Sequence, residues 1–322
     1  LLPKFGPLTP IYATDFTIGM IKKQMSELED IPEMNYQVID PFKHEKLQVS
    51  EHLSVEFIHT LHSIPGNCAI IIRTPNGVVY FSGDWRAEAN PIEKQTDFER
   101  IDEIVKNEGI TLMLNESTNI DSPGHHPHSE YDVGDNIGKV MDHYANGRVI
   151  ISCFSSQINR IGMILEQAYQ RGRKVAFAGF SMINNIEVAL RAKCIKVPKD
   201  TVMKMEDIIK LPDDKITIVC TGSQGELNAV LNRMVSGAHI SKSKLPTPSF
   251  LAQIRSQATS HMSSIPLMDF CVKVLRSFKT AKPTLLISVH FIFLATHIMR
   301  ITLILSLVYS QRTTCHTTVS SS

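Results

Sequence analysis

No two cysteines in this chain stand close enough in sequence to clasp a metal. The six (Cys68, Cys153, Cys194, Cys220, Cys271 and Cys315) are scattered, with no CxxC pair and no zinc-finger spacing. Several fall in apolar, strand-like runs, which reads as buried free thiols in a reducing compartment. A strong charge of either sign is also missing. The formal net charge is +1, so no global basic field announces nucleic acid, and any such site has to be a local groove. The opening residues, LLPKFGPLTPIYATDFT, hold neither a Met nor the basic stretch and apolar run of a secretory signal. The expectation is a sequence that starts inside a longer, cytoplasmic protein. Its composition, 43% hydrophobic and 20% charged, is that of a soluble globular chain, not a disordered one.

What is present concentrates between Val55 and Glu116. An alternating run, VEFIHTLH, ends in His62. Two apolar strands follow, Cys68 to Arg73 and Val78 to Phe81, joined through Pro75-Asn76-Gly77. Asn-Gly between apolar runs predicts a tight hairpin whose two central residues take positive φ. The second strand stops at Ser82-Gly83-Asp84. A helix from about Phe98 to Asn107, closed by Gly109, leads to a strand over Thr111 to Leu114 that delivers Glu116. Three polar groups, His62, Asp84 and Glu116, thus fall at the ends of apolar strands, the usual mounting of a metal or phosphoryl-transfer site.

Before this block, a short strand near Ile11-Tyr12-Ala13 and a helix from about Thr14 to Glu29 are expected. After it, SPGHHPHSE clusters His125, His126 and His128. These could bind metal, or simply form a polar loop into a helix starting near Ser129. From Tyr131 strands alternate with amphipathic helices: strand Arg148 to Cys153, helix Ser156 to Arg171, strand Lys174 to Ala178 and helix Ser181 to Arg191. Helix Met203 to Leu211, strand Lys215 to Cys220 and a helix from about Gly225 complete the series. That order predicts a parallel α/β sheet. Two of its strand-to-helix turns, one with Ser155 and Ser156 and the other with Thr221, Gly222, Ser223 and Gln224, are rich in hydroxyls or glycine. Such turns present N–H groups to an anion, or act as plain helix caps.

In order along the chain, EFIHTLHSIPGN, FSGDW, NESTN, SPGHHPHSE, SCFSSQINRI, GFSMINNIEVA and CTGSQGE resemble the motifs of the ribonuclease J branch of the metallo-β-lactamase/β-CASP hydrolases. The match runs over roughly residues 1 to 239. The resemblance implies an α/β fold, a metallo-β-lactamase αβ/βα sandwich with an inserted parallel β-CASP domain, divided here into residues 1–128 and 129–239. It implies RNA threaded between the two. It also implies two zinc ions that activate a water for 5′-to-3′ exonuclease and endonuclease cleavage, and homodimers or tetramers. By the same resemblance His62 is a zinc ligand, Asp84 a carboxylate bridging both metals, and Glu116 an acidic residue held near the site. Phosphate contacts fall on Ser155, Ser156 and the turn from Thr221 to Gln224. Two non-enzymatic or anchored readings stand beside it: an RNA-binding scaffold without turnover, and a membrane-anchored hydrolase of the same fold.

The departures are as informative. The family's HxHxDH zinc motif is nowhere in the chain, and the residues from Leu1 resemble the family's segment just past that motif. The expectation is therefore a chain cut immediately after HxHxDH and inactive by itself. The family's GRSM turn is Gly179-Phe180-Ser181-Met182 here, an aromatic ring in place of a cation. From about Ser241 the alternation ends. Leu285 to Val308 is long enough to span a bilayer, but His290, His297 and Arg300 interrupt it at a combined cost of roughly several kcal/mol. A one-base frame shift explains this tail without a membrane. Shifted codons for Ile254 to Ser260, Leu294 to Thr302 and Thr314 to Ser320 can spell NPIPGNE, SGHTYNEDH and YMPYHGE, three downstream words of the family in family order. Residues 240–322 are then expected to have no selected fold. A DNA read of the locus is expected to yield SGH in the shifted frame; codons that cannot do so remove the explanation.

Overall fold

The computed structural model describes residues 8–28, 34–118, 120, 129–221 and 230, and the backbone of 250–255 and 288–290. It contains two larger sheets and a small one. Strand β1 (Pro10–Ala13) leads into helix α1 (Asp15–Met25), and β1 pairs in parallel with β2 (Asn35–Val38). Strands β3 (Leu47–Ser50), β4 (Leu53–His59), β5 (Cys68–Thr74) and β6 (Gly77–Phe81) then form an antiparallel meander. Helix α2 (Phe98–Asn107) crosses back, so that β7 (Leu112–Leu114) joins β6 in parallel. The sequence reading had no strands at β2 and β3; both are short and partly exposed, and carry no continuous apolar run.

Strand β4 is buried on both faces. Val55 and Phe57 pack with Ile39 and Ile70, while Ile58 packs with Ala69, Ile71, Tyr80 and Ile104 of α2. Its one charged residue, Glu56, is fully buried and held by two arginines. Arg73 approaches it at 2.8 Å and Arg100 at 2.7 Å. Arg73 also forks onto Glu108, which closes α2. A lone carboxylate inside a sheet would cost several kcal/mol, so the arginine pair is what permits it.

The hairpin corrects the expected turn. Thr74 pairs with Gly77, leaving Pro75 and Asn76 as the central residues, and only Gly77 has positive φ, +128°. Proline fixes a φ near −65°, which selects a turn with negative φ at its first central position and moves the glycine one place on. Gly77 is also required sterically, because a Cβ there would lie 2.0 Å from Thr111 Oγ1. Strand β7 was expected to be apolar, and is, but it forms the edge of the sheet: Met113 is 57% exposed.

The second unit opens with α3 (Glu130–His143), whose N-terminus is fixed by a capping box between Ser129 and Asp132. Strand β8 (Val149–Ser152), α4 (Ile158–Gln170), β9 (Lys174–Ala178), α5 (Phe180–Arg191), the short α6 (Met205–Ile208) and β10 (Ile216–Cys220) follow. Strands β11 (Phe250–Arg255) and β12 (Ser288–His290) extend the sheet in the order β12-β11-β8-β10-β9, parallel throughout. The alternation predicts the parallel β8, β9 and β10; β11 and β12 fall within residues 240–322, where no fold was expected. Strands β8 and β10 are wholly buried because α4 and α5 cover one face and α6 the other. Phe16 and Met20 of α1 belong to this second core. A helix from before residue 128 therefore packs with the parallel sheet, because its apolar stripe faces α5 and not the meander. No described helix is long and apolar enough to cross a membrane. Most of Leu285 to Val308, and the helix expected from Gly225, lie outside the described residues.

The Arg73–Glu108 pair gives a pH test. Arg73 holds the Glu108 carboxyl down to about 2, against burial that works the other way. A depressed carboxylate adds stability above its unfolded pKa of 4.5 and loses it as pH falls toward 2. With Glu108 about a quarter exposed, Glu108→Gln is expected to cost about 1 kcal/mol at pH 7 after solvent screening. That difference should vanish by about pH 2 in urea unfolding curves.

Candidate functional site

Strand β4 ends at His59, and the chain turns through Thr60 to Ser63 before β5, so His62 lies beyond the strand and not in it. Leu61 N donates to Thr96 Oγ1 at 3.0 Å, while Leu61 O accepts from Arg86 N at 2.9 Å. This pins the turn carrying His62 to the one carrying Asp84. Asn67 makes a second tie: its amide donates to Thr60 Oγ1 at 2.7 Å and to the Asp84 carbonyl. A third comes from Ser82, which is 1% exposed. Its hydroxyl donates to Gly83 O at 2.6 Å and accepts from Glu116 N at 3.0 Å. Glu116 in turn accepts from Thr118 N through Oε2. Each of these side chains meets a backbone group left over where a strand stops.

The tips of β4 to β7 face a cavity of about 800 Å³ whose opposite wall is helical. Of the residues singled out from the sequence, His62, Asp84, Glu116, Ser155 and Ser156 all line it. Thr221, at the end of β10, is not among the lining residues; it stands beside Gly179, where a Cβ would lie 3.2 Å from its Oγ1. Gly222, Ser223 and Gln224 lie outside the described residues, as do His125, His126 and His128. Phe180, which replaces the expected cation, is 69% exposed and does not line the cavity. Its neighbour Ser181 does.

The sequence reading missed Thr14, Asn67, Ser82 and Ser181. Thr14 precedes α1, and Gly66, with φ +70°, lies so close that a Cβ would meet Thr14 Oγ1 at 2.8 Å. The signal for Asn67 and Ser82 was a small polar residue flush against a strand end in SIPGN and FSGDW. Three helices, α1, α4 and α5, begin at this cavity with Thr14, the Ser155-Ser156 turn and Ser181 respectively. Helix N-termini give that wall a partial positive charge.

His62 is buried. Desolvation, and then the positive charge of Arg86, push its pKa down to about 4. The imidazole is therefore neutral at physiological pH, the form that accepts a hydrogen bond or a cation. Its Nδ1 lies 3.5 Å from Ser63 Oγ. The expected zinc centre is a different matter. Among the described residues no three His, Cys, Asp or Glu side chains gather closely enough to hold a metal ion. The described residues thus do not fit a dinuclear zinc site, which needs more ligands than His62 and Asp84 can supply.

These features define an α/β protein in which residues from a mixed sheet and a parallel sheet line one cavity. Residues 146–245 match the family model described as Ribonuclease J, beta-CASP domain. The chain is 32% identical over 231 residues to Ribonuclease J of Thermus thermophilus, covering 71% of this chain and 39% of that one. Against Ribonuclease J of Mycolicibacterium smegmatis the identity is 32% over 241 residues, covering 74% of this chain and 41% of that one. A solved structure titled as a protein of unknown function from Enterococcus faecalis V583 shares the fold, with a TM-score of 0.56 at 15% identity, over 89% of this chain and 64% of that one. The chain is ribonuclease J-like. It spans about two fifths of the length of the curated relatives it matches.

Ser82→Ala is the direct test of how the site is held. Leaving the Glu116 N–H without its acceptor is expected to cost about 1–3 kcal/mol. Hydrogen exchange should rise at residues 114–118 first, measured alongside urea unfolding.

Proposed function

We propose that the chain is a ribonuclease J-type protein whose cavity receives the sugar-phosphate backbone of RNA between its two units. The reading includes the family's chemistry, hydrolysis of phosphodiesters by metal-activated water, for the protein type. For this chain it assigns RNA binding without turnover. The meander of β3 to β7 is read as part of a metallo-β-lactamase sandwich, and the protein as cytoplasmic.

One observation carries the proposal. Five residues chosen from the sequence as metal or phosphate groups, from two different sheets, line the same cavity. In the roles proposed, Ser155 and Ser156 donate to phosphate oxygens beside the start of α4, and Ser181 does the same beside α5. In this reading Asp84 and Glu116 stand on the strand-tip side of the cavity with His62, whose imidazole is neutral. Zinc, where a fuller ligand set holds it, supplies the activated water. The described residues do not provide that set, which is why no turnover is assigned here.

The test is direct. The purified chain is expected to bind a 5′-monophosphorylated oligoribonucleotide with an affinity that falls steeply as salt rises. Ser156→Ala should weaken binding by roughly three- to ten-fold, the worth of one hydrogen bond. The same RNA should stay intact in added zinc. Salt-insensitive or absent binding overturns the RNA reading; zinc-dependent cleavage overturns the assignment of binding alone.

A further inference from the structure

We propose that Arg86 is a positioning residue, which locks the carboxylate side of the cavity to its hydroxyl side through a buried Arg86–Glu130–Arg160–Gln157 chain. Arg86 lies two residues past Asp84, and its backbone N–H is already bonded to Leu61 O, next to His62. Its carbonyl accepts from Thr96 Oγ1 at 3.3 Å. The backbone of Arg86 is therefore part of the knot that joins both strand tips.

Its side chain leaves that knot for the other unit. One guanidinium nitrogen lies 2.9 Å from Glu130 Oε1, at the start of α3. Arg160 of α4 forks onto the same carboxylate, at 2.6 Å to Oε1 and 3.2 Å to Oε2. The third nitrogen of Arg160 donates to Gln157 Oε1 at 3.0 Å. Gln157 is the residue before α4 and follows Ser155 and Ser156 directly. The chain of contacts thus runs without a break from the His62 and Asp84 turns to the serine turn. Glu130 is 5% exposed and Arg160 2%. Glu88, 3.0 Å from Arg86, faces the same cluster.

A buried charge chain is a poor source of net stability but a good source of fixed geometry, since any displacement leaves a charge unpaired in a dry place. The planar fork of arginine makes this directional in a way that lysine cannot copy. The sequence hides the arrangement, because Arg86, Glu130 and Arg160 are far apart along the chain.

Hydrogen exchange on the full chain tests the coupling, with the emission of Trp85, the only tryptophan, as a second signal. In Arg86→Lys, amides at 60–62 and at 157–158 should both exchange at least about ten-fold faster, while β5 and β9 keep wild-type rates; that gain matches loss of roughly one charged hydrogen bond. Glu130→Gln, made in the other unit, should shift Trp85 emission. Where that variant does not fold, Arg86→Lys and Arg160→Lys decide the matter. Faster exchange confined to residues 84–88, or raised uniformly, would overturn the proposal.

A binding arm rests on the RNA reading above. Arg86→Lys should weaken oligoribonucleotide binding together with the opening at 157–158. Weaker binding without that opening means Arg86 touches RNA itself, and the positioning role falls. If the wild-type chain binds no RNA, the RNA reading fails while the exchange data still judge the coupling.

Discussion

Backbone hydrogen bonding that runs out at strand and helix ends governs this site. A strand tip leaves N–H and C=O groups that its neighbours no longer satisfy, and a buried orphan costs about as much as a lost hydrogen bond. Asn67 and Ser82 meet that requirement at the tips of β4, β6 and β7. In doing so they fix the turns that carry His62, Asp84 and Glu116. On the opposite wall three helices begin with no side-chain cap on their N-termini. One wall of the cavity is thus acidic and the other, lined by helix starts, partly positive.

Holding two such walls in register needs more than apolar packing, which is non-directional. Here α1 contributes Phe16 and Met20 to the core of the parallel sheet while β1, just before it, pairs with β2. This ties α1 to the parallel sheet and its neighbour β1 to β2. The buried charges between Arg86, Glu130 and Arg160 are directional, and they set that register where it matters. The Glu56 cluster does a similar task within the meander, fastening α2 across β4 and β5.

The elements were legible in the sequence where one interaction decides them. Strand β10 is largely apolar because both faces are covered, and Ser129 announces α3 through its capping box. The residues of the site were legible in part. His62, Asp84 and Glu116 stand out as polar groups closing apolar runs, and Ser155 and Ser156 as a hydroxyl turn after one. What brings them together was not legible. The partners Arg86, Glu130 and Arg160 meet only after two units fold, and no local period encodes that. The hairpin differs for another reason: the proline before Asn-Gly has a fixed φ, which selects the turn. Helix α6 shrank from the expected span because Pro212 and the turn before it stop the apolar period early.

The contrast between the two walls sets a direction for any bound polyanion. A phosphate entering the cavity meets Asp84 and Glu116 on one side, and repulsion in a partly dehydrated space is stronger than in bulk water. On the other side it meets Ser155, Ser156 and Ser181 at helix starts that favour negative charge. It should therefore settle toward α4 and α5 and remain off the strand tips unless positive charge is supplied between the carboxylates. The neutral state of His62 means that side chain supplies none at physiological pH. In the proposed reading, phosphate binding rests on the hydroxyl wall, and hydrolysis would need cations that the described side chains are too few to hold.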